Sequence, residues 1–293
     1  MSKFFLDNTL VLVVVPAACY VLCKMFRETW KDMDNDSVIY NTKLILEKKY
    51  DYRPLALFVI AGICLTIQEY YCKYSFYYNT IYPLLIKFYH RFPFIRLEKY
   101  DSLYRQVWSN ILNIFVYCII PFTTWKIFFP KDSLLDFGLR SKDFFRHTRL
   151  YLFYFLILAI AVTIASFKSD FINYYPFYSK SSRSWFDLIM WELLYLQSFF
   201  FLEIFFRGWW LVTLGKKLGS SAIFSMIVPY CMIHYSKPYL ECIGAMIGAM
   251  ALGSLSMKTK SIYQGAILHM SLALAMDLVS LARKGAFPIQ FWP

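Results

Sequence analysis

Charge is scarce in this chain. Asp, Glu, Lys and Arg make up 17% of its 293 residues, against roughly 25% in soluble domains. Histidine is scarcer still, with four residues. The seven cysteines include no CxxC pair and all fall in apolar runs or at their ends. That excludes a disulfide or zinc framework and leaves small apolar packing groups. There is no internal repeat, Gly/Ser linker or low-complexity tract. A secondary transporter built from an inverted repeat of broken helices is disfavoured by that absence. Alternating runs of ~10 residues are also missing, which argues against a membrane β-barrel.

What the chain has in quantity is apolar surface. It is 59% hydrophobic and 21% aromatic, with a mean hydropathy of +0.44. Several runs reach the ~20 residues that cross a bilayer as a helix. The pattern predicts an all-α, polytopic, integral multi-pass membrane protein, with about eight transmembrane helices. They are expected near residues 5–23, 54–72, 106–128, 149–167, 185–214, 220–235, 239–257 and 262–283. The first is read as an uncleaved span rather than a signal peptide, because Asp7 sits in its charged flank and Pro16 spoils the lipobox. The polar stretch after it carries little packing signal. The aromatic, basic segment 73–105 is expected to lie in the interface. Residue 184 divides the chain. N-terminal membrane helices and connectors occupy 1–184, and 185–293 is the part where intramembrane polar residues accumulate.

The net charge of +12 would suit nucleic acid in a soluble protein. Here Lys and Arg fall mostly between the apolar runs, where topology and anionic headgroups account for them. Membrane lipids are the expected partners, and nucleic acid is not. A cell (inner) membrane location is the expectation. The basic residues divide too evenly between the two sides to set the orientation.

Charged groups inside a spanning helix are functional candidates by default. FFLEIFFRGWW (200–210) carries Glu203 and Arg207, four apart, so a regular helix puts them on one face in the favourable order. The bland reading is a self-neutralising pair. His90 and His147 lie in polar, basic surroundings and read as surface groups. His234 and His269 lie in apolar helices downstream. Two such histidines with one glutamate make a set suited to general acid/base chemistry or to holding a metal or water. Gly244, Ala245, Gly248, Ala249 and Gly253 form a small-residue ridge that lets neighbouring helices approach. Glu241 follows Pro238 in a first helical turn, where a carboxylate suits the dipole. Asp277, eight residues past His269, is ~12 Å further along a helix. It is a candidate to pair with Arg283 or Lys284, or to line a cavity.

In this order the motifs resemble the CPBP family, the CAAX prenyl protease and bacteriocin-processing (Abi) type of intramembrane protease. The resemblance rests on Glu-x3-Arg-Gly, Tyr230-x3-His234 before a Pro, LGSLSMKTKSIYQGAILH ending in His269, and the upstream DFGLR connector. It covers roughly 185–283 and implies an intramembrane endopeptidase acting on a peptide or protein in or at the membrane. Carried over by position, it implies catalytic roles for Glu203, His234 and His269, with Arg207 in support; Glu241 and Asp277 are further supporting candidates, either of which would supply the missing polar contact. The family's first Glu is Leu202 here, and the polar residue four after the last His is Ala273. Two accounts stay open: Glu203 alone serves as the base, or the fold is kept as a membrane scaffold or chaperone that hydrolyses nothing. A proton-coupled transporter is the third reading. The cofactor reading stays open between none and zinc, for which Glu203, His234 and His269 would suffice as a three-ligand site.

Overall fold

A computed structural model describes the backbone of residues 2–89, 96–141 and 144–293, and the side chains of all of these but 2–10, 144 and 146. The reading of His90 as a surface group lies outside the described residues. His147 is half-buried in a 3-10 turn. The principal helices are α1 (Ser2–Leu46), α2 (Arg53–Tyr71), α3 (Leu97–Ile114), α4 (Ile120–Phe128), α5 (Thr148–Ala165), α6 (Trp185–Glu203), α7 (Leu211–Leu218), α8 (Ser221–Met232), α9 (Tyr239–Thr259) and α10 (Tyr263–Lys284). No strand occurs among the described residues. α3 and α4 join through a π-helical turn, Phe115–Ile119, and α6 and α7 through another, Ile204–Trp210.

Among the described residues, six helices are long and apolar enough to cross a membrane: Arg53–Tyr71, Leu97–Phe128, Thr148–Ala165, Trp185–Leu218, Tyr239–Thr259 and Tyr263–Lys284. The protein is an all-α, polytopic, integral membrane protein. Two of the eight expected spans are not among the six. The one expected at 220–235 is α8, whose 12 residues rise only ~18 Å where the hydrocarbon core is ~30 Å thick. The one expected at 5–23 is the front of α1, a 45-residue helix. The polar stretch after it stays helical to Leu46 because it does carry a packing face. Leu22, Phe26, Met33 and Ser37 are buried and Trp30 half-buried along one side, at spacings of three and four. The third span begins at Leu97 rather than 106. The segment before it is helical over Tyr74–Tyr89 with a π turn inside, and rings of Tyr74, Tyr78 and Tyr82 contact one another. Glu69 at the end of α2 pairs with Lys73. All seven cysteines are free, and burial pushes the Cys72 thiol, just past α2, up to about 12, which keeps it protonated and inert.

The chain forms two compact units that interleave along the sequence. One holds residues Met1–Phe58, Ser133–Asp143 and Phe206–Gly265, and the other Val59–Asp132, Phe144–Phe205 and Ala266–Pro293. In the first unit α1 packs on α7 and α9, and α8 packs on both α7 and α9. Polar ties fix the register of α1. The indole of Trp30 donates to Ser254 Oγ (2.9 Å), the hydroxyl of Ser37 donates to the Lys217 carbonyl (2.7 Å), and Asp34 accepts from the Ser220 backbone N–H (2.7 Å). The DFGL connector joins the same unit. The Ile262 N–H donates to the Gly138 carbonyl (3.1 Å) and the Tyr263 hydroxyl to the Leu139 carbonyl (2.9 Å).

Among the glycines of the α9 ridge, Gly253 makes the close approach. A Cβ on Gly253 would lie 3.2–3.3 Å from side-chain atoms of Leu211, Met226 and Ile223. At Gly244 and Gly248 it would meet nothing within 4 Å among the described residues. The expected approach of neighbouring helices is made at Gly253, against α7 and α8, and Ala245 and Ala249 of the ridge are buried.

In the second unit α3 packs on α6, and the start of α6 is pinned from several directions. Ser184 is the N-cap. Its Oγ accepts from the Asp187 N–H (3.1 Å) and donates to the Asp187 carboxylate (2.8 Å). Arg183 grips that carboxylate with two bonds of 2.7 Å, and the Tyr178 hydroxyl adds a third donor at 2.9 Å. The first helical N–H groups, which have no partner inside a helix, reach the C-terminal tail. Trp185 N–H donates to the Gln290 carbonyl (3.0 Å) and Phe186 N–H to that of Phe291 (2.9 Å). Removing the cap alone, Ser184→Ala, is expected to lower stability by about 1 kcal/mol. A fall in the unfolding midpoint of the detergent-solubilised protein measures it, and an unchanged midpoint would show that the tail and Arg183 suffice.

Candidate active site

Glu203 ends α6 and His269 lies two turns into α10. The structure brings them together in the second unit. His269 Nδ1 is 2.9 Å from Glu203 Oε1. The glutamate is fully buried and the imidazole retains a small exposed edge, with 12% of its side chain accessible. The Phe199 ring, one turn before Glu203, lies 4.4 Å from the imidazole centroid and limits its rotation. An ionised carboxylate only accepts hydrogen bonds, so it draws the histidine proton to Nδ1 and leaves Nε2 as the basic ring nitrogen. A carboxylate that fixes tautomer and orientation in this way is the arrangement found in general-base histidines.

His234 and Arg207 belong to the first unit, and Tyr230 organises both. His234 Nδ1 is 2.7 Å from the Tyr230 carbonyl. A carbonyl only accepts, so this nitrogen also carries the proton. The Tyr230 ring lies tilted against the imidazole at 4.8 Å and receives the Arg207 guanidinium at 4.1 Å from its centroid. Phe206 packs edge-on against the same ring at 5.3 Å. Arg207 is 1% exposed and borders a cavity of about 240 Å3 together with Gly215, Ser256 and Ile262. A cation over an aromatic face gains most when water is excluded. Tyr230→Phe is therefore expected to preserve the arrangement, since it keeps both ring and carbonyl. Tyr230→Leu, which keeps only the carbonyl, is expected to lower stability by about 2 kcal/mol. Equal unfolding midpoints for the two variants would contradict that.

The four-residue spacing of Glu203 and Arg207 was read on a regular helix. Residues Ile204–Trp210 are π-helical instead, so the ladder there runs to the fifth residue and the two side chains do not follow α-helical geometry. Glu241 pairs with Lys237 at 2.6 Å, a local link across one helical turn at the start of α9. Asp277 accepts a hydrogen bond from the Trp191 indole at 2.7 Å. Arg283 lies over the Phe167 ring at 4.1 Å, and the Lys284 ammonium donates to the Tyr175 carbonyl at 2.5 Å. Sequence reasoning passed over Glu192, a buried acid on α6. The signal available was an acid in the apolar run LIMWELLYL. Among the described residues no three His, Cys, Asp or Glu side chains are grouped to hold a metal ion.

Residues 184–275 match the family model described as Rce1-like, type II CAAX prenyl endopeptidase Rce1-like. This stretch of the chain is Rce1-like. The Rce1-like segment is about a third of the sequence, and Glu203, Arg207, Tyr230, His234 and His269 all fall inside it. No curated protein and no solved structure matches the chain.

Proposed function

We propose that the protein is an intramembrane endopeptidase that hydrolyses an amide bond in a peptide held in or at the cell (inner) membrane. The observation that carries this reading is the buried Glu203–His269 pair at 2.9 Å, joining two helices of a segment whose family is a peptidase family. Amide hydrolysis needs a base for water, a donor for the developing oxyanion and exclusion of bulk solvent. The Glu203–His269 dyad meets the first need. Water attacks the carbonyl carbon as its proton passes to the dyad. The C–N bond then breaks as the dyad returns that proton to the leaving nitrogen. The family resemblance implies that His234, whose Nδ1 is anchored on the Tyr230 carbonyl, orients the water or donates to the oxyanion. Arg207, held over Tyr230, keeps the π-helical turn after Glu203 in place.

A single glutamate suffices in this scheme. The family's first carboxylate is Leu202 here, and the basic group is supplied by the imidazole that Glu203 orients. The test is a cleavage assay in proteoliposomes, with one prenylated C-terminal peptide and one unmodified membrane peptide as substrates. Wild type should release product from at least one, and Glu203→Gln and His269→Ala from neither. Equal product from all three proteins would sink the mechanism.

A further inference from the structure

In the second unit, α6 and α10 meet at two levels. One is Glu203 with His269. The other is Trp191 with Asp277. Moving from the first to the second runs backwards along α6 and forwards along α10, so the helices are antiparallel. The levels are about 12–18 Å apart along their axes.

The second level holds two acids. Asp277 is fully buried, and its Oδ2 accepts from the Trp191 indole. Glu192, next to that tryptophan, is 9% exposed, and both its carboxylate oxygens are buried with no hydrogen-bond donor reaching them among the described residues. The charged neighbour of Glu192 is Asp277 itself. Three basic groups of the surrounding elements are engaged elsewhere. Arg183 is bound to Asp187, Lys180 to Asp101, and Arg283 lies over Phe167. The Lys284 ammonium bonds the Tyr175 carbonyl, and its charge acts on Asp277. The phenol of Tyr178 is spent on Asp187, and the Tyr195 ring stacks on Trp191 at 4.7 Å. Two ionised carboxylates side by side in an apolar surrounding repel each other, and each loses its hydration. One proton removes both penalties.

We propose that Glu192 and Asp277 form a proton-binding site inside the membrane-spanning region, which holds one proton at neutral pH and ties α6 to α10. The proton resides on Glu192, because Asp277 has the indole donor and the Lys284 charge to support a negative form. The Glu192 hydroxyl then donates to Asp277. The site lies two to three turns from the Glu203–His269 pair on the same two helices, so Glu192 and Asp277 are positioning residues whose protonation keeps that pair in register. The proton site stands whether or not the chain hydrolyses peptides.

The experiment is infrared spectroscopy of the full-length protein in lipid nanodiscs across pH 5 to 10, with no substrate present. Wild type at pH 7 should show the carbonyl stretch of a buried protonated carboxyl, downshifted in D2O. Glu192→Gln, which keeps a donor toward Asp277, should fold normally and lose that band. Asp277→Asn should keep it, with the band vanishing at a lower pH than in wild type. Absence of the band from wild type, its survival in Glu192→Gln, or an unmoved titration in Asp277→Asn would each overturn the proposal. A band that emerges only when sodium is withdrawn would replace the proton by a monovalent cation. Should Glu192→Gln not accumulate, the Asp277→Asn titration decides alone.

Discussion

Replacing Glu203 by Gln is expected to slow peptide cleavage by about 10²–10⁴-fold, the range that a positioned acid/base group contributes. His269→Ala should cost a similar factor. The two residues act as one device, so the double variant should be little slower than the slower single. That non-additivity is the sharper measurement. Glu203 is fully buried and 2.9 Å from the imidazole, so an amide at this position still accepts from Nδ1 through its oxygen, and folding should survive. What the amide lacks is the charge that holds the proton on Nδ1 and supports the imidazolium formed when Nε2 takes the water proton. KM should move little, because neither group is assigned to bind the resting peptide. Losses that multiply in the double variant would mean the two residues work separately. Undiminished turnover would remove Glu203 from the mechanism.

The C-terminal helices were legible because their apolar runs are long and sharply bounded. The expected 239–257 and 262–283 correspond to Tyr239–Thr259 and Tyr263–Lys284. Pro238 before one and the αL residue Lys260 after it mark the turns. The N-terminal third was less so. Leu22, Phe26, Met33 and Ser37 form a helical face in the sequence itself, but the acidic and basic residues between them hid it. The Glu203–His269 pair was foreseen as residue types and not as a pairing. Helices apolar on every side carry no stripe to announce which faces meet. Glu192 shows the same limit. Its partner Asp277 lies 85 residues on, and only the antiparallel contact of α6 with α10 gives the two acids a common meaning. Glu203 and Arg207 were linked by their spacing, and the π-helical turn that begins at Ile204 has no periodicity signal of its own.

Gly208→Ala is expected to produce a large loss of stability for the addition of one methyl group. A Cβ at this position would stand 2.5 Å from the Phe137 carbonyl oxygen, a distance that carbon and oxygen cannot hold. The obstacle is backbone, so no side-chain rotation relieves it. Either the π-helical turn or the DFGL connector must move. The connector is tied through the Gly138 carbonyl to Ile262 and through the Leu139 carbonyl to Tyr263. Gly138 itself has φ +75°, where an added Cβ would stand 2.9 Å from the Ile262 side chain. Overpacking of this kind costs about 1–3 kcal/mol, with the upper end expected here because both sides are fixed. Arg207 is the preceding residue, so its place over Tyr230 should loosen with the turn. Gly248→Ala is the control. It meets nothing within 4 Å, and in a helix interior it should raise stability by up to about 1 kcal/mol. Unfolding midpoints of the two variants in one detergent measure the contrast. Equal midpoints would mean that the connector yields freely, and that the close contact with Gly208 does not hold the π-helical turn.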